Sequence, residues 1–161
     1  MELTAKLIAS LSENKEVYDK TAFILTYDEG GQFFDHHWTP TPPRNTKLYN
    51  DGKSTVSTEG ELTKDMIDLI EKDHPIGLGF RVPMIIVSPW TRGGYIYSGV
   101  ADHTSSIKFL EKRFNFTCEN ISPWRRAIAS DLLDAFDFKN PDYSWPDHLP
   151  DTSDNYNKTG K

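Results

Sequence analysis

Ala22-Phe23-Ile24-Leu25-Thr26-Tyr27-Asp28-Glu29-Gly30-Gly31 is the stretch from which the fold is read. Its first five residues are rich in β-formers and apolar on both faces. That pattern predicts a short strand covered on both sides, as in a parallel sheet. Two acids then stand together where the strand ends. Open α/β sheets bind their ligands just beyond the carboxyl ends of their strands, so Asp28 and Glu29 are candidates for a site. A second run of the same kind, Arg81-Val-Pro-Met-Ile-Ile-Val87, follows a proline and stops at Ser88-Pro89.

Outward from these strands the pattern becomes helical. Leu3, Leu7 and Leu11, less regularly Ile8 and Val17, share a face over residues 3 to 18, with a break expected near Asn14. Asp102 or Thr104 can cap a helix carrying Ile107, Phe109, Leu110 and Phe114. Ser122-Pro123 is a cap and first-turn pair for another helix through Leu133. Thr58 and Glu61 have capping-box spacing ahead of Leu62, Met66, Ile67 and Ile70, which predicts a surface helix ending near Lys72. Residues 30 to 60, rich in glycine, proline and polar side chains, read as a long loop. The αβαβ order is that of an α/β sandwich. We divide the chain into 1–138 and a proline-punctuated strap or linker over 139–161.

Composition bounds the function. The 161 residues suffice for one domain or part of one, and 37% hydrophobic, 12% aromatic and 26% charged residues are those of a globular protein. No apolar run approaches the roughly 20 residues of a membrane-spanning helix. A net charge of −6 argues against nucleic acid as a partner. An anionic substrate then needs a local cation, most simply a metal. Cys118 is alone and reads as a small core or surface residue and not as a nucleophile. The opening residues have neither the basic nor the apolar segment of a signal peptide, so either the protein is cytoplasmic or this is not the parent's natural start.

Carboxylate oxygens favour hard divalent metals, which makes Asp28-Glu29 a candidate ligand pair against the alternative of a solvated turn; Gly30 and Gly31 would let backbone pass close to a ligand. His36 and His37 follow beside Asp35, where a carboxylate can orient an imidazole for ligation or proton transfer. Asp102-His103 is a second acid and imidazole pair, with a helix cap as the alternative for Asp102. Arg92, in Pro-Trp-Thr-Arg-Gly-Gly, can hold a phosphate or pair with a nearby acid. Arg125 and Arg126 read as packing and ion-pair residues, His74 and His148 as surface residues. There is no phosphate-binding glycine loop and no Gly-x-Ser-x-Gly elbow.

Several of these segments together resemble one family. Leu25-Thr-Tyr-Asp-Glu29 with Phe33-Phe-Asp-His36, Gly77-Leu-Gly79 with Arg81-Val-Pro83, Ser88-Pro-Trp90 with Arg92-Gly-Gly94, Asp102-His-Thr-Ser105 and Asn120-Ile-Ser-Pro-Trp-Arg-Arg126 look like the ordered motifs of the bacterial phosphatidylcholine-hydrolysing phospholipases C. Acid phosphatases and plant non-specific phospholipases C share that family. Pro141-Asp-Tyr-Ser-Trp145 and Leu149-Pro-Asp-Thr152 favour the phospholipase branch.

The resemblance implies an alkaline-phosphatase-like α/β sandwich, with a central, mostly parallel sheet between helices, here incomplete. It also implies phosphoester hydrolysis through a covalent phosphoenzyme with phospholipid or phosphate-ester substrates. Asp28 and Glu29 fall on its metal-binding acid pair for one divalent ion. His36 and His103 match motif histidines and are taken as catalytic, Arg92 and Asp102 as substrate-binding. Gly30-Gly31-Gln32 departs from the amide or acid residue usual after Tyr-Asp-Glu. The family's Glu-Asn metal pair and its serine or threonine nucleophile precede that strand and have no room here, so the expectation is a fragment inactive alone, from an extracellular or periplasmic parent able to touch membrane surfaces. The alternatives are a phosphomonoesterase of the same family and a noncatalytic remnant.

Overall fold

The computed structural model describes residues 2–30, 36–44, 50–64 and 72–145, and the chain divides into two units. The first comprises residues 1–25, 84–96 and 136–161, the second 26–83 and 97–135. No helix among the described residues is long and apolar enough to cross a membrane.

In the first unit, helix α1 (Glu2–Ser12) leads into the single turn α2 (Lys15–Tyr18). The break falls where it was expected: the Asn14 side chain accepts the Val17 N–H as an N-cap, which starts a new helix in place of continuing the old one. The apolar stripe of α1 is not buried throughout, since Leu3 and Leu7 are exposed. Strands β1 (Phe23–Thr26) and β2 (Met84–Val87) form a two-stranded sheet. Beyond β1, Tyr27 N–H donates to Pro83 O, and a side chain on Gly30 would strike Arg81 O. The chain leaving β1 thus runs back along the chain entering β2, so the strands are antiparallel. The parallel expectation is corrected here, for an apolar run reports coverage and carries no information about direction. The strands are also half-buried, and Ile85 is exposed. After β2, Ser88 caps the 3₁₀ turn Pro89–Thr91 through the Trp90 N–H. Residues 136–145 return to this turn, with Asp137 and Asp142 N–H groups donating to Trp90 O and Pro89 O. Phe136 stacks on Phe138, and Trp145 meets the buried Tyr18 ring edge-on.

The second unit is built on α3 (His103–Phe114) and α4 (Pro123–Ile128). Asp102 rather than Thr104 caps α3, in a reciprocal capping box with Ser105, and Asn115 closes the helix in the left-handed region at φ 54°. Ser122 caps α4, Pro123 opening its first turn. That helix ends at Ile128, short of the expected Leu133, because Ser130 N–H is taken by Val100 O and Leu132 turns to φ 63°. The last carbonyls of α4 are met by Lys108, whose ammonium donates to Arg126 O and Ala129 O. Ile121, Trp124, Ala129 and Leu132 are buried. The predicted loop shows no helix over 36–44 and 50–60. Thr58 and Glu61 form a turn, Glu61 N–H donating to Thr58 O, and Leu62 bridges to Pro75. The helix does not begin at that box, since the Glu61 carboxylate is buried and engaged elsewhere; the rest of that prediction, Met66 to Ile70, lies outside the described residues.

Candidate functional site

The exit of β1, the Gly77–Val82 segment and the first turn of α3 come together in the second unit. Asp28, Glu29, Gly30, Leu78, Gly79, Phe80, Val82 and His103 line an open cavity of about 520 Å³, within the range of small-ligand sites. Asp28, Glu29 and His103 are exposed to it. The His103 Nε2 lies 3.1 Å from the Asp28 carbonyl oxygen, so the ring is tied to the backbone that presents the two acids. The Glu29 N–H donates to the Asp28 carboxylate at 3.0 Å, which turns one acid back over the next. Gly30 sits where any side chain would enter Arg81 O. This explains the glycine at the position where the family resemblance led us to expect an amide or acid: the backbone of the opposing segment occupies that space.

Other residues singled out by sequence are placed elsewhere. The Asp102 carboxylate accepts from Thr104 N–H and Oγ1 and from Arg125 Nη1. Arg92 belongs to the first unit, where Nη2 donates to Ser144 Oγ at 3.1 Å and Nε lies 3.5 Å from Asp142, the acid-paired alternative of its two readings. His36 is exposed, its ring 4.6 Å from that of His37, and is not among the residues lining the cavity. His74 is exposed, as expected. Asp35 and His148 lie outside the described residues.

The ion pairing expected of Arg125 takes the form of a buried network behind the cavity, whose burial and whose acid Glu61 sequence reasoning missed. Arg125 donates from Nε and Nη2 to the two oxygens of Glu61 at 2.9 and 2.8 Å, from Nη1 to Asp102 at 2.5 Å and from Nη2 to Gly77 O at 2.8 Å. Ser122 Oγ adds a 2.6 Å bond to Glu61. The side chains of Glu61 and Asp102 are 4% and 6% exposed, so these charges stand only because they are paired. Burial works against the Arg125 charge, and the hydrogen bonds to Glu61 and Asp102 more than offset it, leaving its pKa raised. A second pair, Arg126 and Glu111, closes the far side of α3; the Arg126 guanidinium and the Cys118 N–H hold the Glu111 carboxyl down to about 2.

The donor chemistry of Asp28 and Glu29 suits a hard cation, yet no three acid, imidazole or thiol groups converge among the described residues. Two carboxylates supply part of the six or more oxygens that a calcium-like ion takes. The described residues therefore do not make a complete cation site by themselves.

Residues 1–117 match the model of the Phosphoesterase family. The chain is 47% identical over 152 residues to the non-hemolytic phospholipase C of Burkholderia pseudomallei, covering 92% of this chain and 21% of that protein. It is 48% identical over 134 residues to the hemolytic phospholipase C of Pseudomonas aeruginosa, covering 83% and 17%. Phospholipase C A of Mycobacterium tuberculosis is 39% identical over 136 residues, covering 81% and 24%. The chain thus spans about a fifth of the length of these curated relatives.

Proposed function

The chain belongs to the phosphoesterase family, and from that premise we propose that it forms part of the active site of a phospholipase C acting on phosphatidylcholine-like phosphodiesters. The observation that carries the reading is the cavity itself, which two carboxylates and one imidazole line. Relatives named phospholipase C align over most of this chain, so the segment holding the cavity belongs to the aligned portion.

In this reading Asp28 and Glu29 are oxygen donors to one divalent ion, completed by ligands beyond the described residues. Such an ion, when bound, neutralises phosphate charge and lowers the pKa of an attacking hydroxyl or water. His103 is the residue for proton transfer at the phosphoester, because its Nε2 is fixed on Asp28 O and its other nitrogen remains to accept or deliver a proton. Leu78, Phe80 and Val82 give the cavity an apolar flank against which the non-phosphate part of a substrate can lie. The alkaline-phosphatase-like sandwich and an extracellular or periplasmic address belong to the same proposal.

The test is calorimetric titration of the purified chain with Mn²⁺, beside hydrolysis of a chromogenic phosphocholine diester and a phosphate monoester. Ion binding abolished by Asp28→Ala with Glu29→Ala, and no turnover of either ester by this chain alone, since it forms only part of the site, are the expected results. A folded wild-type chain that binds Mn²⁺ no more tightly than the double variant, or that turns over the monoester alone, would sink the reading.

A further inference from the structure

We infer that Arg125 is a positioning residue that holds the walls of the Asp28–His103 cavity in register while lying outside it. The inference rests on the cavity being a functional site, and its geometry is independent of which ligand the cavity takes.

The cavity has three walls, and Arg125 reaches two of them directly. Its Nη1 grips Asp102, the residue immediately before His103, and the same carboxylate caps α3 through Thr104. Its Nη2 grips the carbonyl of Gly77, the residue immediately before Leu78 and Gly79 in the second wall. Gly77 has φ 65°, and a side chain there would come within 2.9 Å of Thr41 and 3.1 Å of Pro40 O, so the turn is seated tightly as well as anchored. Leu78 N–H donates to Pro40 O, and Thr39 Oγ1 donates to Gly79 O, which extends the anchoring along that wall. The third wall, Asp28 to Gly30, is reached through His103, whose ring meets Asp28 O.

A guanidinium suits this task because its N–H groups lie in one plane and point along fixed edges. One edge is filled by both oxygens of Glu61, which fixes the plane of the fork. The outward N–H groups then have set directions, one toward Asp102 and one toward Gly77. A lysine ammonium would keep the charge but could not span Glu61, Asp102 and Gly77 together. Glu61 is correspondingly an orienting partner, and Ser122 holds it from the opposite side. Its burial at 3% exposure agrees with a part played through Arg125 and not toward solvent.

The experiment records amide ¹H–¹⁵N spectra of the full chain for wild type, Arg125→Lys, Glu61→Gln and Asp102→Asn, with melting temperatures measured alongside. Asp102→Asn keeps an oxygen for the Thr104 cap and removes the charge that Arg125 grips. The expected result is that all three variants displace the signals of Leu78 and Gly79, of His103, and of Asp28 and Glu29, which lie two links from the substitution. Should Arg125→Lys fail to fold, the other two variants carry the test. Signals that move only around residues 61 and 122 to 126, with those of Asp28, Glu29 and Gly79 in place while the melting temperature falls, would show a merely structural ion pair and overturn the inference. Adding Mn²⁺ to the wild type separates the underlying reading: if the ion fails to broaden the Asp28 and Glu29 signals, the cation assignment fails, and the displacement pattern still decides the role of Arg125.

Discussion

His103 and Asp28 stand 75 residues apart in the chain, and Nε2 of the first lies 3.1 Å from the carbonyl oxygen of the second. A carbonyl only accepts, so the hydrogen sits on Nε2 and the lone pair of the neutral ring is left on Nδ1. Long-range ¹H–¹⁵N correlation of the full chain, at a pH where the imidazole is neutral, is expected to show the Nε2–H tautomer for His103. An Nδ1–H ring, or two tautomers in exchange, would mean that the contact to Asp28 does not hold in solution.

The Glu61–Arg125–Asp102 network predicts an asymmetric cost. Removing Glu61 leaves a guanidinium that is 16% exposed with Asp102 as its remaining anion, and it strips Ser122 of its acceptor. Breaking a buried pair from one side costs about 3 kcal/mol or more, because the stranded charge keeps its desolvation penalty. Glu61→Ala is therefore expected to lower the unfolding free energy by about that amount in urea titrations. A loss within the roughly 0–1 kcal/mol of a surface pair would contradict the burial described here.

The Glu111–Arg126 pair makes stability depend on pH in a defined window. The Glu111 carboxyl falls from 4.5 to about 2 on folding, chiefly through the Arg126 guanidinium and then the Cys118 N–H. A depressed carboxyl stabilises the fold fully above its unfolded value, and that contribution is lost as pH falls from about 4.5 through about 2. Glu111→Gln should thus unfold at lower urea than wild type near neutral pH, with the two midpoints converging as the pH approaches 2. Midpoints that stay equally far apart across that range would refute the linkage.

Local features were legible in the sequence where one or a few neighbouring residues decide them. A break near Asn14, a cap at Asp102 or Thr104 and a cap at Ser122 were each readable, because a cap is a contact made within three residues. Asp28 and His103 were visible as candidates from their strand-end and helix-start positions, and the cavity does bring them together. What could not be read was anything set by partners distant in the chain. The direction of β2 against β1, the burial of Glu61 and the engagement of Asp102 by Arg125 all depend on contacts across 23 to 64 residues. Arg92 left both its alternatives open for the same reason, its acid lying beyond Asn140 in a segment without periodic pattern. One signal was available for Glu61: a carboxylate at capping-box spacing whose helix had to begin in a loop rich in glycine and serine.

Gly30 tests how closely the two segments at the cavity must approach. Its Cα faces Arg81 O, and a methyl group there would overlap the oxygen and press on its carbonyl carbon at 3.0 Å, while meeting the Val82 side chain at an ordinary contact distance of 3.6 Å. None of these is the free end of a flexible side chain, so the backbone must move. Forcing extra volume into such a contact costs about 1–3 kcal/mol. The displacement would separate Asp28 and Glu29 from Val82, all three of which line the cavity. Gly30→Ala is therefore expected to destabilise the chain by that amount and to weaken any binding at the cavity, whereas Gly52→Ala, at a glycine with open space around it, should leave binding unchanged and strain only its own turn at φ 106°. Unfolding titrations and Mn²⁺ binding on the two variants make the comparison. If Gly30→Ala matched wild type in both, the close approach of residues 30 and 81 would be wrong, and with it the register that sets β1 against β2.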